Sequence, residues 1–242
     1  MRRLGGDRVG WALLLATACA APSVERTLPP SGGAAAPSAS VPAVPGSTSM
    51  PAPQSVRIAL MVEARPTDRA TAGFASMVKE TLTDPRGWQA AGFLFAFMDD
   101  APYRVVLAER AEVERLCRPY DVGRFSCQNG PVVALNADRW RTASPKWPGD
   151  LDTYRRMLVN HEVGHLLGQH HPDVHCPRAG QPAPVMAQQS SELDGCLPNP
   201  WPLRWELDCA ARHEEPLAPG YEDHPTSHCG PAEEAPMNSG AR

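Results

Sequence analysis

The sequence predicts an α/β domain of the α+β kind. It is expected to be a twisted mixed sheet with one long helix packed on it, followed by an irregular, disulfide-stapled C-terminal part. Three observations lead there. Short apolar runs alternate with helical spacings over residues 56–136. A stretch free of Pro and Gly, residues 152–160, runs straight into a histidine-rich segment. From Pro172 on, the chain is Pro-rich and irregular and carries Cys176, Cys196, Cys209 and Cys229.

The elements follow in order. Residues 56–63 read as a strand. Residues 70–83 have helical spacing through Ala72, Ala75, Met77, Val78 and Leu82, and Asp84-Pro85-Arg86-Gly87 ends that helix. Residues 92–98 and 103–108 read as strands joined by Asp99-Asp100-Ala101-Pro102. A short helix over 109–116 and a strand over 132–136 come next. A helix is expected from about 151 to 167, with Leu151, Tyr154, Leu158 and Val159 as its buried stripe. Pro148-Gly149-Asp150 supplies its stop signal and N-cap. The C-terminal part should form the opposite wall of a cleft.

That helix carries His161-Glu162-Val163-Gly164-His165-Leu166-Leu167-Gly168-Gln169-His170-His171, the pattern H-E-x-x-H-x-x-G-x-x-H. His161 and His165 are one turn apart, roughly 6 Å of rise, so both can grip one metal ion. Glu162 is rotated about 100° from His161, beside the metal and free to act as general base on a water. Gly168 lets the chain leave the helix in a left-handed conformation, and His171 returns as third ligand. Three neutral nitrogens and an open fourth position describe a catalytic zinc site of one ion. His170 competes with His171 for the third place, and the ten-residue offset from His161 favours His171. His175 is a weaker candidate. Each histidine taken singly would be an ordinary core or surface residue.

The motif with Gly168 and His171 resembles that of the metzincin clan of zinc peptidases. The resemblance implies a methionine turn beneath the metal, and Met186 in Pro184-Val185-Met186-Ala187-Gln188 is its candidate, the bland reading being core filler. Leu116-Cys117-Arg118-Pro119, Ser126-Cys127-Gln128-Asn129-Gly130, Ala183-Pro184-Val185-Met186 and Gly195-Cys196-Leu197-Pro198-Asn199-Pro200-Trp201-Pro202 are similar to a bacterial family of secreted proteins. That family is classed as a domain of unknown function and is held to be metzincin-like. The likeness spans roughly residues 55–205 and implies a zincin-like fold and a metal, but no substrate. Unlike better-known metzincins, the chain has no Tyr soon after Met186, so no side chain is assigned to stabilise an oxyanion.

The N-terminus reads as an export signal over residues 1–19: Met1-Arg2-Arg3, a short apolar core, then Ala16-Thr17-Ala18-Cys19. Ala18-Cys19-Ala20 suits ordinary signal peptidase. Leu15-Ala16-Thr17-Ala18-Cys19 resembles a bacterial lipobox, which would acylate Cys19 and hold the protein at a membrane, its one expected membrane contact. Residues 20–55, dense in Pro, Ala, Ser and Gly, read as a disordered linker, with the folded domain over 56–211 and a polar tail over 212–242. Six cysteines remain, and an even count in an exported protein suggests disulfides. Neighbour pairing gives Cys117–Cys127, Cys176–Cys196 and Cys209–Cys229, the second clamping the segment that carries Met186. A second, structural zinc site has no C-x-x-C spacing behind it.

A formal net charge of −4 over 242 residues gives no case for nucleic acid as partner. The sequence reading is an exported zinc metalloendopeptidase, monomeric, acting on a peptide or protein substrate. The alternatives are a zinc hydrolase of cell-wall peptides and a surface zinc-binding protein without turnover. Trp201 and Trp205 are cleft candidates but read better as core. Arg139 and Arg141 could meet a substrate carboxylate but read better as solvated.

Overall fold

The computed structural model describes residues 55–212. The leader with Cys19, nearly all of the linker and the tail with Cys229 lie outside the described residues. Five strands form one mixed sheet: β1 (Val56–Ala64), β2 (Phe93–Phe97), β3 (Tyr103–Ala108), β4 (Cys127–Asn129) and β5 (Val132–Asn136). Their order is β2-β1-β3-β5-β4. All neighbours pair in parallel except β4, which runs antiparallel to β5 at one edge. The helices are α1 (Phe74–Leu82), α2 (Arg110–Leu116), α3 (Ala137–Thr142), α4 (Leu151–Leu166) and α5 (Arg204–Ala210).

Strand side chains alternate between two layers. On one face Ile58, Leu60, Val105, Leu107, Val133 and Leu135 join α1 and α4 in the main core. On the other, Val106, Ala108, Val132 and Ala134 meet Val113 of α2 and Cys117 in a smaller one. Residues 105–108 of β3 and 132–136 of β5 are buried on both faces, which is why they read as unbroken apolar runs.

Helix α4 is the element that positions the site. Asp150 caps it, its carboxylate accepting from Thr153 N at 2.8 Å and from Thr153 Oγ1 at 2.7 Å. Burial then covers it nearly all round, from Tyr154 through Met157–Gly164 to Leu166. The ring N–H of Trp88 donates to Asn160 O at 2.9 Å across the core.

Several boundaries differ from expectation. Helix α1 begins at Phe74, not residue 70, because Asp68 and Thr71 take the preceding backbone into turns. Ala70 N donates to Asp68 Oδ1, and Thr71 Oγ1 donates to Pro66 O and Asp68 O. Glu109 caps α2 and lies outside it. The strand expected over 92–98 is trimmed by Gly92, which sits at φ 94° after a 3-10 turn over Trp88–Ala91. Strand β4, helix α3 and helix α5 were not expected. Asn129-Gly130 marks the β4–β5 turn, with Gly130 at φ 54°. Asn136 caps α3, its side chain accepting from Asp138 N at 2.9 Å.

Cys117–Cys127 and Cys176–Cys196 are disulfides, compatible with an extracellular protein. Cys209 is also disulfide-bonded; its expected partner, Cys229, lies outside the described residues. No helix among the described residues is long and apolar enough to cross a membrane.

Candidate metal centre

His161 and His165 project from α4, and Gly168 ends the run that carries them. Its φ of 77° is left-handed, and Gln169 N returns to Gly164 O at 2.9 Å. The chain doubles back and brings His171 to the same point. The Nε2 atoms of His165 and His161 each lie 3.2 Å from Nε2 of His171. These three histidines form a group able to hold a metal ion.

The donor chemistry fits. His161 Nδ1 faces Val185 O at 2.8 Å, and His165 Nδ1 faces Gln169 O at 2.8 Å. A carbonyl only accepts, so each Nδ1 carries the proton and each Nε2 presents a lone pair. Lone pairs 3.2 Å apart repel unless a cation lies between them. Nitrogens at about 2.0–2.1 Å from a tetrahedral centre stand roughly 3.3 Å apart, close to the separation seen. Burial also keeps the rings neutral. It lowers His161 to about 4 and, with the neighbouring histidines, His171 to about 3, and drives His165 well below its usual value. The Gln188 side-chain amide lies 3.4 Å from His171 Nδ1.

Glu162 is buried beside the histidines and lines the same cavity, of about 360 Å³. Burial pushes its carboxyl up to about 8. A cation alongside would pull it back down. The cavity is bounded by α4, by Ser126–Gln128 at and just before edge strand β4, and by Gln188–Ser191.

Met186 sits beneath the ligand-bearing turn. A Cβ on Gly164 would overlap Met186 Sδ and come 2.9 Å from Trp88 Cζ2, so glycine is what lets Met186 and Trp88 approach the helix. Glu206 of α5 holds the turn that carries Met186. Its carboxylate accepts from Val185 N at 3.0 Å, Met186 N at 2.9 Å and Leu203 N at 2.7 Å. The same Val185 orients His161 through its carbonyl. Asn199 and Gln189 pin the rest. Gln189 Nε2 donates to Pro184 O and Asn199 O, and Asn199 Nδ2 donates to Ala183 O and Trp201 O.

Sequence reasoning missed Glu206. Its one local signal is its place at the third position of α5, from which it reaches back to the N-cap amide of Leu203. Of the weaker candidates, His175 lies 3.8 Å from Asp194 Oδ2 and does not join the cluster. Neither Trp201 nor Trp205 lines the cavity, and Trp201 stacks on the Arg86 guanidinium at 4.2 Å. Arg141 pairs with Asp68 and Glu109, both at 2.6 Å, and with Asp138 at 3.5 Å. That pairing, rather than solvent, occupies it, whereas Arg139 lines the cavity.

Fold and site together define a mixed α/β protein with a three-histidine cluster suited to a metal ion. A family model described as a protein of unknown function (DUF3152) matches residues 42–202, more than half of the chain, and the chain belongs to that family. No curated protein matches it.

Proposed function

We propose that the protein is an exported zinc metalloendopeptidase of metzincin-like type. The observation that carries this reading is the convergence of three imidazole Nε2 atoms with Glu162 in one open cavity. His161, His165 and His171 would hold the ion, with Gly168 and Met186 as structural support. An all-nitrogen set with three protein donors suits zinc. Bound zinc would supply Lewis-acid chemistry, lowering the pKa of a water and polarising the carbonyl under attack.

The chain's own residues do the rest. Glu162 takes the proton from the attacking water and passes it to the leaving amine nitrogen. Val185 O and Gln169 O fix the tautomers and ring angles of His161 and His165. A peptide is the favoured substrate because β4 is an edge strand among the described residues, and Cys127 and Gln128 line the cavity. An extended peptide added to that edge would enter the cavity that the histidines line. The leader over 1–19 would direct export, with Cys19 acylated or removed. The disulfides support that compartment.

The test is metal content by mass spectrometry and peptide-library cleavage, run on the wild type, Glu162→Gln and His165→Ala. Glu162→Gln should keep its zinc and its fold and lose about 10²–10⁴-fold in rate. His165→Ala should lose the zinc. Full activity in Glu162→Gln would sink the mechanism.

A further inference from the structure

Arg139 and Arg141 are two residues apart on α3, yet their surroundings are opposite. Arg141 is shared by three carboxylates. Arg139 donates to two backbone carbonyls, from Nε to Arg124 O at 3.2 Å and from Nη1 to Ala143 O at 3.1 Å. Among the described residues no carboxylate pairs with it. Those carbonyls fix the guanidinium in place without neutralising its charge, and it lines the cavity that holds the histidines.

The helix gives the cavity a direction. Tyr154, Met157, Leu158, His161, Glu162 and His165 all line it and recur at three- and four-residue steps on one face of α4. From His161 to Tyr154 is seven residues, about 10 Å along the axis. Next to the histidines the wall is apolar, formed by Met157 and Leu158. At the far end Tyr154 Oη and Ser190 Oγ are hydrogen-bonded at 2.9 Å, and the charge of Arg139 acts on that phenol. The phenol is fully buried and Ser190 half-buried, so with Tyr154 donating to Ser190 the serine hydroxyl keeps its own proton for a ligand's acceptor. The other cavity-lining carboxylate besides Glu162, Asp121, is exposed.

We propose that this end of the cavity is a carboxylate-binding subsite, in which Arg139 with the Tyr154–Ser190 hydroxyl pair receives an acidic group of the substrate. The matching ligand has an apolar stem against Met157 and Leu158 and an anionic tip. A glutamate side chain has that form, and so does the terminal carboxylate of a peptide that ends shortly past the scissile bond. The inference deepens the peptidase reading and rests on it for the word substrate.

The experiment measures binding, so that it does not depend on turnover. Labelled hexapeptides in an alanine background are titrated by fluorescence anisotropy into the full chain carrying Glu162→Gln and loaded with zinc. One set is C-terminally amidated and carries Glu or Gln at each position in turn. The other has no acidic side chain and ends in a free carboxylate or an amide. The expected result is roughly tenfold or more tighter binding for Glu over Gln at one position, or for the free over the amidated end, and the arm that responds identifies the source. Adding Arg139→Gln should erase the preference, and Arg139→Lys should keep part of it. Equal affinities, no binding in any arm, or a preference that survives Arg139→Gln would overturn the proposal. An intact preference in a protein that, with Glu162 restored, cleaves none of these peptides would leave the subsite standing and remove the peptidase reading.

Discussion

Residues 56–136 and residues 167–210 line one cavity but are ordered by different means. The first region is a ladder, in which backbone hydrogen bonds repeat along four strand pairings and apolar side chains fill both faces. The second contains a 7-residue helix and a few paired residues, Gln181–Ala183 against Leu197, beside the Cys176–Cys196 disulfide. Its order rests on single polar side chains, Glu206, Gln189 and Asn199, each holding two or more backbone groups. In a ladder no one residue is indispensable. In a hub-and-spoke region one residue holds several orphan groups, and its loss exposes all of them together. Helix α4 joins the two regions, and the third histidine comes from the irregular side.

Removing the hub of the irregular half should cost the most. Glu206→Ala would leave the amides of Val185, Met186 and Leu203 without their acceptor in the interior. At 1–3 kcal/mol per unsatisfied buried donor, the loss should be about 5 kcal/mol. The readout is urea unfolding of the metal-free chain, with a single-residue truncation on β2 as the contrast. Val185 would lose its anchor as well, so zinc affinity should fall even under conditions where the variant still folds. A loss no greater than that of an ordinary surface change would mean that the irregular half is held by something other than Glu206.

Chelation comes next. If zinc ties His171 to α4, removing it separates the halves at the point where no backbone ladder joins them. A ligand at a thousand times its dissociation constant stabilises by about 4 kcal/mol. For a domain of this size that is roughly 8–16 °C in Tm, read by calorimetry with and without a chelator. Hydrogen exchange should show faster opening in 167–200 than in β3 and β5. Equal change in both regions would mean that the metal stabilises the whole fold uniformly.

The same division explains what could be read in the sequence. Strands β1, β3 and β5 were legible because burial on one or both faces imposes runs such as Val105–Ala108. The histidine cluster was legible because helix geometry fixes the spacing of His161 and His165 and a glycine lets His171 return to them. Strand β4 and helix α3 span 3 and 6 residues, too short for a period to emerge, while α5, at 7 residues no shorter than α2, follows Pro200 and Pro202 in a stretch that reads as irregular. The hub residues were illegible for another reason. Nothing local distinguishes Gln189 from a solvated side chain, Glu206 offers only its helix-start position, and their partners Met186 and Pro184 lie 20 and 5 residues away across turns. Arg139 and Arg141 look alike in the sequence, and only the arrangement of acids around α3 separates them.

A pH titration sharpens the role of Glu206. Burial pushes its carboxyl up to about 7, against the three amide bonds that favour its charged form. A carboxyl raised in the folded state binds more protons there than in the unfolded chain. Its contribution is therefore fully present below about pH 4.5, is lost as pH rises, and is gone above about pH 7. The span from 4.5 to 7 corresponds to about 3 kcal/mol. Glu162 and the three histidines titrate through the same window in the metal-free chain, so the readout is a difference: the unfolding free energy of the wild type minus that of Glu206→Gln should fall by this amount from about pH 4.5 to 7. A difference that stays flat with pH would mean that Glu206 titrates in the fold as it does in the unfolded chain.

The smallest effect lies at the contact between the halves. Gly164→Ala should gain about 1 kcal/mol in helix propensity if nothing else touched it. Its new methyl group would instead overlap Met186 Sδ and press on Trp88 Cζ2. The thioether can turn aside, but the indole is tethered through its N–H to Asn160 O. Overpacking at about 1–3 kcal/mol outweighs the gain, so a net loss of roughly 1 kcal/mol is expected. A double-mutant cycle identifies the cause. In a Met186→Ala background the space opens, and Gly164→Ala should become neutral or stabilising. If Gly164→Ala stabilises the otherwise unaltered chain, the methionine yields freely. The irregular half would then adapt to the helix, and the contact beneath the histidines would not constrain them.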